Sequence, residues 1–259
     1  MLAGKDGATY AERPFMTALL VSGATCLVTL GGGLLVLRLQ AYRGLVLAFC
    51  AGVLVAGALM DVIPDALQLL ESTQTSWHHH HLLFACCLGF LVFYLFEHGA
   101  HHSEERDHPA RYNHSCQVGT WGAAGISMHS FFDGVAIGSA FQAGEEIGWV
   151  VAAAVLLHKI ADGASTVGVM LGTQHSTRAT TAMLIVAALA PLVGTLLQSA
   201  VTIPTPMLAL ALGWFAGVFL YLGASSLLPT AHESGHSRWL PLATLAGVAF
   251  VYLVQRLVE

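Results

Sequence analysis

The sequence predicts an all-α polytopic membrane protein, and three observations carry that prediction. Hydrophobic residues make up 56% of the 259 positions and charged residues only 10%, against roughly 25% charged in soluble domains. So few charges cannot cover a water-facing surface. The apolar residues lie in long runs, and helices of that length cross the roughly 30 Å hydrocarbon layer of a bilayer. Polar stretches separate the runs, and arginine appears in every second one. No basic patch points to nucleic acid.

The elements follow in order. Residues 1–14 form a polar tail, and the first span runs over about 15–37. That run is too long for the apolar core of a signal peptide and lacks a small-residue cleavage site. A basic turn holds Arg38 and Arg43. The second span covers about 44–70 and is broken by Pro64, since proline withdraws a backbone donor. A polar loop ends in His78–His81, and the third span is about 82–96. Residues 97–117 form a histidine-rich loop. Spans over about 118–143, 147–171, 179–201, 207–228 and 240–254 complete a set of eight. Cys26, Cys50, Cys86 and Cys87 sit within apolar runs, where small buried hydrophobes are expected.

Arg38, Arg43, Arg106, Arg111, Arg178 and Arg238 occupy the connections after spans one, three, five and seven. By the positive-inside rule these face the cytoplasm, so both termini and His78–His81 face outside. The expected location is the cell (inner) membrane, multi-pass. A faint repeat is also legible. Ala51-Gly52-Val53, Pro64 and Ala66 recur as Ala216-Gly217-Val218, Pro229 and Ala231, each 165 positions later. The two copies lie in spans that cross in opposite senses, as in inverted-repeat transporters.

The chemistry is concentrated in one pattern written twice. His129-Ser130-Phe131-Phe132-Asp133-Gly134 and His158-Lys159-Ile160-Ala161-Asp162-Gly163 both read H-x-x-x-D-G. Residues four apart on a helix share a face. Intramembrane His, Asp and Lys are costly enough to be functional by default. A structural Asp–Lys pair is the plainer reading, but two His/Asp copies argue for a pocket of two imidazoles and two carboxylates. Mixed nitrogen and oxygen donors suit Zn²⁺, Fe²⁺ or Mn²⁺ better than Ca²⁺ or Mg²⁺. His129, Asp133, His158 and Asp162 are the candidate metal ligands, with Ser130 a weaker oxygen donor. Lys159 argues against a second ion, because its ammonium repels a divalent cation and pairs with Asp133 or Asp162. Gly134, Gly138, Gly163 and Gly168 are expected to let helices approach closely.

These motifs resemble those of the ZIP (Zrt/Irt-like) divalent metal transporters. The span-four pattern H-N-x-x-D/E-G is similar to His129–Gly134, the span-five pattern H-E-I-P-x-E to His158–Gly163, and the polar residue before span-two L-L-P to Asp61-Val62-Ile63-Pro64. Lys159, the V-I-P form and Phe215–Tyr221 resemble one subgroup of the family. The resemblance implies eight helices in a 3+2+3 inverted-repeat arrangement, an elevator-like motion of helices two, four, five and seven, and metal moved from outside to cytoplasm. Zn²⁺ is the implied substrate, with Fe²⁺, Mn²⁺ or Cd²⁺ as alternatives, and a homodimer is suggested. Asp61 would stand near the outer approach, with Ser226 its repeat counterpart.

The chain departs from the two-ion pattern of the family. Ser130 and Lys159 replace an Asn and an acid, and Ala190 precedes Pro191 where the family has an acid. A single-ion site is therefore expected. Ala161 replaces a proline, which removes the reason for a kink there. Gln198 is read as a helix–helix hydrogen bond or, less favoured, a pathway wall. The 97–117 loop and His78–His81 are candidate metal collectors; His175, His232 and His236 are expected at the surface. An intramembrane metal-dependent lipid hydrolase is the alternative function, although the chain has no H-E-x-x-H.

Overall fold

The computed structural model describes residues 12–73, 77–102, 110–200, 204–234 and 238–257. Eight helical rods account for them: α1 (Glu12–Arg38), α2 (Arg43–Glu71), α3 (His79–His102), α4 (Ala110–Ala143), α5 (Glu145–Gly172), α6 (Thr177–Gln198), α7 (Thr205–Glu233) and α8 (Leu240–Arg256). The chain is all-α, and no strand occurs among the described residues. Helices α1, α2, α5, α6 and α7 are each long and apolar enough to cross a membrane; His79–Leu95 and Leu240–Arg256 are shorter apolar stretches. The molecule is inverted relative to a soluble protein. Leu20 and Leu27 on the outside are each 72% exposed, whereas Ser130 and Lys159 inside are fully buried. Such a surface is compatible with lipid as the solvent, and the chain is a multi-pass membrane protein.

Two sequence expectations about the helices need correction. Pro64 does not break the second span. A π-turn at Ala58–Val62 carries the helix through, and the α-helix resumes at Ile63. Proline at 64 cannot donate to the carbonyl four residues back, that of Met60. The Gln255 side-chain amide of α8 donates to that carbonyl instead. The second correction concerns the polar segment after span three. Its flanks are helical, with α3 reaching His102 and α4 starting at Ala110, while 103–109 lie outside the described residues. Helix α5, lacking the family's proline, runs without interruption from Glu145 to Gly172.

The repeat is visible in the packing. A second π-turn, Leu222–Leu227, precedes Pro229 as Ala58–Val62 precedes Pro64. The principal helix pairs are α1 on α5, α4 on α6, α2 on α8 and α3 on α7, with α1 on α6, α4 on α5 and α2 on α7. Exchanging α1 with α6, α2 with α7, α3 with α8 and α4 with α5 maps this set of pairs onto itself. Glycines explain why the pairs are tight. A Cβ at Gly134 would overlap the Pro191 carbonyl, and one at Gly194 that of Phe131, across the α4–α6 contact. Gly163 and Gly32 stand likewise against the Thr29 and Ile160 carbonyls across α1–α5. The two remaining pairs share this reciprocal glycine-on-carbonyl arrangement, Gly52 with Gly247 and Gly89 with Gly217. Close backbone approach of this kind is how small residues join helices in lipid.

Candidate metal centre

Helices α4 and α5 cross at their H-x-x-x-D-G segments, and the crossing gathers the two motifs into one cluster. One ligand atom from each of His129, Asp133, His158 and Asp162 lies within 4.8 Å of the other three. The hub is a single carboxylate oxygen, Asp133 Oδ2. It stands 3.6 Å from His129 Nε2 and 3.5 Å from His158 Nε2. These spacings exceed a hydrogen bond. They are close to the roughly 3.3 Å that separates two ligands held 2.0–2.2 Å from one tetrahedral zinc. His158 Nε2 and His129 Nδ1 are buried and make no hydrogen bond, unusual for polar atoms away from water. The donor set and its spacing fit a divalent ion of the zinc class.

The partners fix the ligands. Asp61 Oδ2, from the π-turn of α2, is 3.6 Å from His158 Nδ1. A carboxylate this near attracts a proton to that nitrogen electrostatically, which leaves the other nitrogen's lone pair free for the cluster. Asp61 thus stands beside the site itself, closer than the expected outer approach. The His129 ring packs edge-on against Phe219, with centroids 5.1 Å apart, and near Phe215 at 6.5 Å. These aromatics of α7 wall the ring and hold its orientation.

Lys159 occupies the other half of the cluster. Its side chain is fully buried, and its Nζ donates to Asp133 Oδ2, to Asp162 Oδ2 and, at 3.0 Å, to Ser130 Oγ. The Ser130 hydroxyl donates onward to Asp162 Oδ2 at 3.3 Å. The ammonium therefore bridges two carboxylates, as a second cation would, and shares with the imidazoles the very oxygen of Asp133 that they face. Asp162 reaches Lys159 and Ser130, and so is the least independent of the four candidate ligands.

A cavity of about 490 Å³ leads to the cluster. Asp61, Asp65, Gln68 and Ser72 form one side, and His129, Asp133 and His158 lie among its other lining residues. Its lining extends toward the end where α2 finishes and α5 and α7 begin, the side whose connections between helices carry no Lys or Arg in the sequence. Toward the opposite end the helices meet in a dry contact of Leu47, Ile126, Val169, Leu222 and Leu227. Asp65 escaped the sequence reading, although its position one turn beyond Asp61 placed it on the same face.

Other candidates fall elsewhere. Gln198 is buried and forms a reciprocal amide pair with Gln142, at 3.1 and 3.3 Å, joining α6 to α4 away from the cavity. His175 is not a plain surface residue: its two nitrogens meet Thr120 at 2.9 Å and Thr173 at 3.0 Å, tying α4 to the end of α5. His232 is exposed, and His236 lies outside the described residues.

Comparison with known proteins points to one family. The family model described as ZIP Zinc transporter matches residues 15–123 and 116–255. A curated relative, Zinc transporter zipt-7.1 of Caenorhabditis briggsae, is 28% identical over 145 residues, covering 49% of this chain. The match spans 36% of that relative, so the chain corresponds to about a third of its length. With nearly the whole helical chain matched, from the first rod to the last, the protein belongs to the ZIP zinc transporter family.

Proposed function

We propose that this protein transports a divalent metal ion, zinc foremost, through a single intramembrane site made by His129, Asp133, His158 and Asp162. The observation that carries the reading is the convergence of two imidazole nitrogens on one Asp133 oxygen at 3.5 and 3.6 Å. Fe²⁺, Mn²⁺ and Cd²⁺ suit the same donors. All eight rods span the cell membrane, with both termini outside and the arginine-bearing connections, including 97–117, in the cytoplasm. The open cavity then faces outward, and the packed leucine and isoleucine end faces inward. This supports uptake into the cytoplasm by alternating access, with the repeat-related packing as its frame. The working unit is a homodimer, as the family resemblance suggests. Family membership sets transport ahead of lipid hydrolysis.

Lys159 keeps the site to one ion. Its ammonium takes the place between Asp133 and Asp162 that a second cation needs, and Coulomb repulsion opposes a second divalent ion there. An incoming ion must share Asp133 with Lys159 or displace it, and Asp162 and Ser130 retain the ammonium when that happens. The test is zinc accumulation by proteoliposomes. Wild type should accumulate zinc, and Asp133→Ala and His158→Ala should not; equal uptake by all three would refute the assignment.

A further inference from the structure

A second cavity, of about 440 Å³, lies where α1, α2, α5 and α8 meet. Leu35 and Leu39 of α1, Val46 and Phe49 of α2, Ile160 of α5 and Phe250 of α8 are among its lining residues, and Tyr42 brings the one polar side chain. Leu35, Leu39, Tyr42 and Ile160 are exposed, so the cavity is an open slot on the outer surface of the bundle. At its inner wall Gly32 of α1 touches the Ile160 carbonyl of α5. The Phe49 and Phe250 rings, 5.9 Å apart, close it between α2 and α8. A water needs about two to four polar partners, which this lining does not offer. Left empty, the walls would forfeit their dispersion contacts. Hydrocarbon is the filler such a slot accepts in a bilayer.

The end of the slot at Leu39 and Tyr42 is flanked by positive charge. Arg38 ends α1 beside Leu39, and Arg43 opens α2 beside Tyr42. Residues 38–43 hold both arginines and no acid. Arg43 is fastened, its Nη2 donating to the Leu171 carbonyl and, at 3.3 Å, to that of Gly172 at the end of α5. Arg38 is exposed, and no carboxylate among the described residues pairs with it. An apolar slot flanked by an available guanidinium matches a lipid with an apolar tail and an anionic phosphate headgroup.

We propose that this slot binds one anionic phospholipid, with an acyl chain among α1, α2, α5 and α8 and the phosphate at Arg38. Ile160 and Ala161 line the slot and lie in the chain between Lys159 and Asp162. The tail therefore packs on the turn of α5 that holds the metal cluster, and it steadies the four-helix junction there. The leaflet is cytoplasmic by the topology proposed above; the binding itself does not rest on the transport reading.

The test uses the full chain, stripped of lipid in detergent, with phosphatidylglycerol and phosphatidylcholine of identical chains. By native mass spectrometry, wild type should hold phosphatidylglycerol about fivefold more tightly, the contribution of one arginine near a membrane surface. Arg38→Gln should bind the two lipids alike. Val46→Trp, which fills the slot, should lose both. Leu39→Glu, at an exposed position, should lose phosphatidylglycerol by setting a carboxylate beside its phosphate, and it decides alone where the tryptophan prevents folding. Phosphatidylglycerol should also raise the unfolding temperature of wild type more than phosphatidylcholine does, an excess absent from Arg38→Gln. Equal affinities in wild type, or a preference that survives Arg38→Gln, overturn the proposal. So does undiminished phosphatidylglycerol binding by Val46→Trp or Leu39→Glu. No arm reads uptake, so a failure of zinc accumulation sinks the transport reading alone.

Discussion

The two copies of H-x-x-x-D-G share a pattern but not a chemistry. In the α4 copy, Asp133 faces both imidazoles and Lys159 through one oxygen. In the α5 copy, Asp162 reaches Lys159 and Ser130 through hydrogen bonds. The difference comes from the residue after each histidine, a small hydroxyl in one copy and a cation in the other. Their last residues remain equivalent, since Gly134 and Gly163 each admit a facing backbone carbonyl. The repeat thus preserves its packing half and divides its polar half: Asp133 faces the imidazoles and the ammonium, and Asp162 the ammonium and Ser130.

The largest expected effect separates the two acids. Asp133→Ala removes the shared oxygen and leaves Lys159 with one carboxylate, so zinc uptake should be abolished. Thermal unfolding in detergent should register a loss of about 3–5 kcal/mol, the range for breaking a buried ion pair. Asp162→Ala should retain measurable uptake, because the oxygen facing both imidazoles persists. Equal loss in the two variants would erase the distinction. Next comes Lys159→Ala, which frees both carboxylates: equilibrium zinc binding should rise above one intramembrane ion per chain, and the metal-free protein should unfold at lower temperature. Gly134→Ala and Gly163→Ala should each cost about 1–3 kcal/mol through overpacking, by similar amounts, since this half of the motif is the conserved one. The smallest effect belongs to Gln198→Leu. It leaves Gln142 without its amide partner, so a loss of about 0.6 kcal/mol is expected, with uptake unchanged.

The all-α, long-helix character was legible because lipid demands length and low charge, and the four candidate ligands because helical spacing stacks His over Asp. What escaped reading depends on contacts distant in sequence. Pro64 reads as a break, and Gln255, 195 positions away, donates to the Met60 carbonyl that the proline cannot serve. Asp65 reads as a residue near a span end, and becomes a cavity wall only when α5 and α7 close around it. His175 reads as exposed until Thr120 and Thr173 meet it from two helices. That Lys159 and the imidazoles share one oxygen of Asp133 is likewise a property of the crossing, not of either motif.

Zinc-edge anomalous diffraction from zinc-loaded crystals tests the central claim most directly. One peak is expected in the membrane interior, among His129 Nε2, His158 Nε2, Asp133 Oδ2 and the Asp162 carboxylate, with Lys159 beside Ser130. Two adjacent peaks bridged by Asp133 and Asp162, or no peak between the imidazoles, would contradict it.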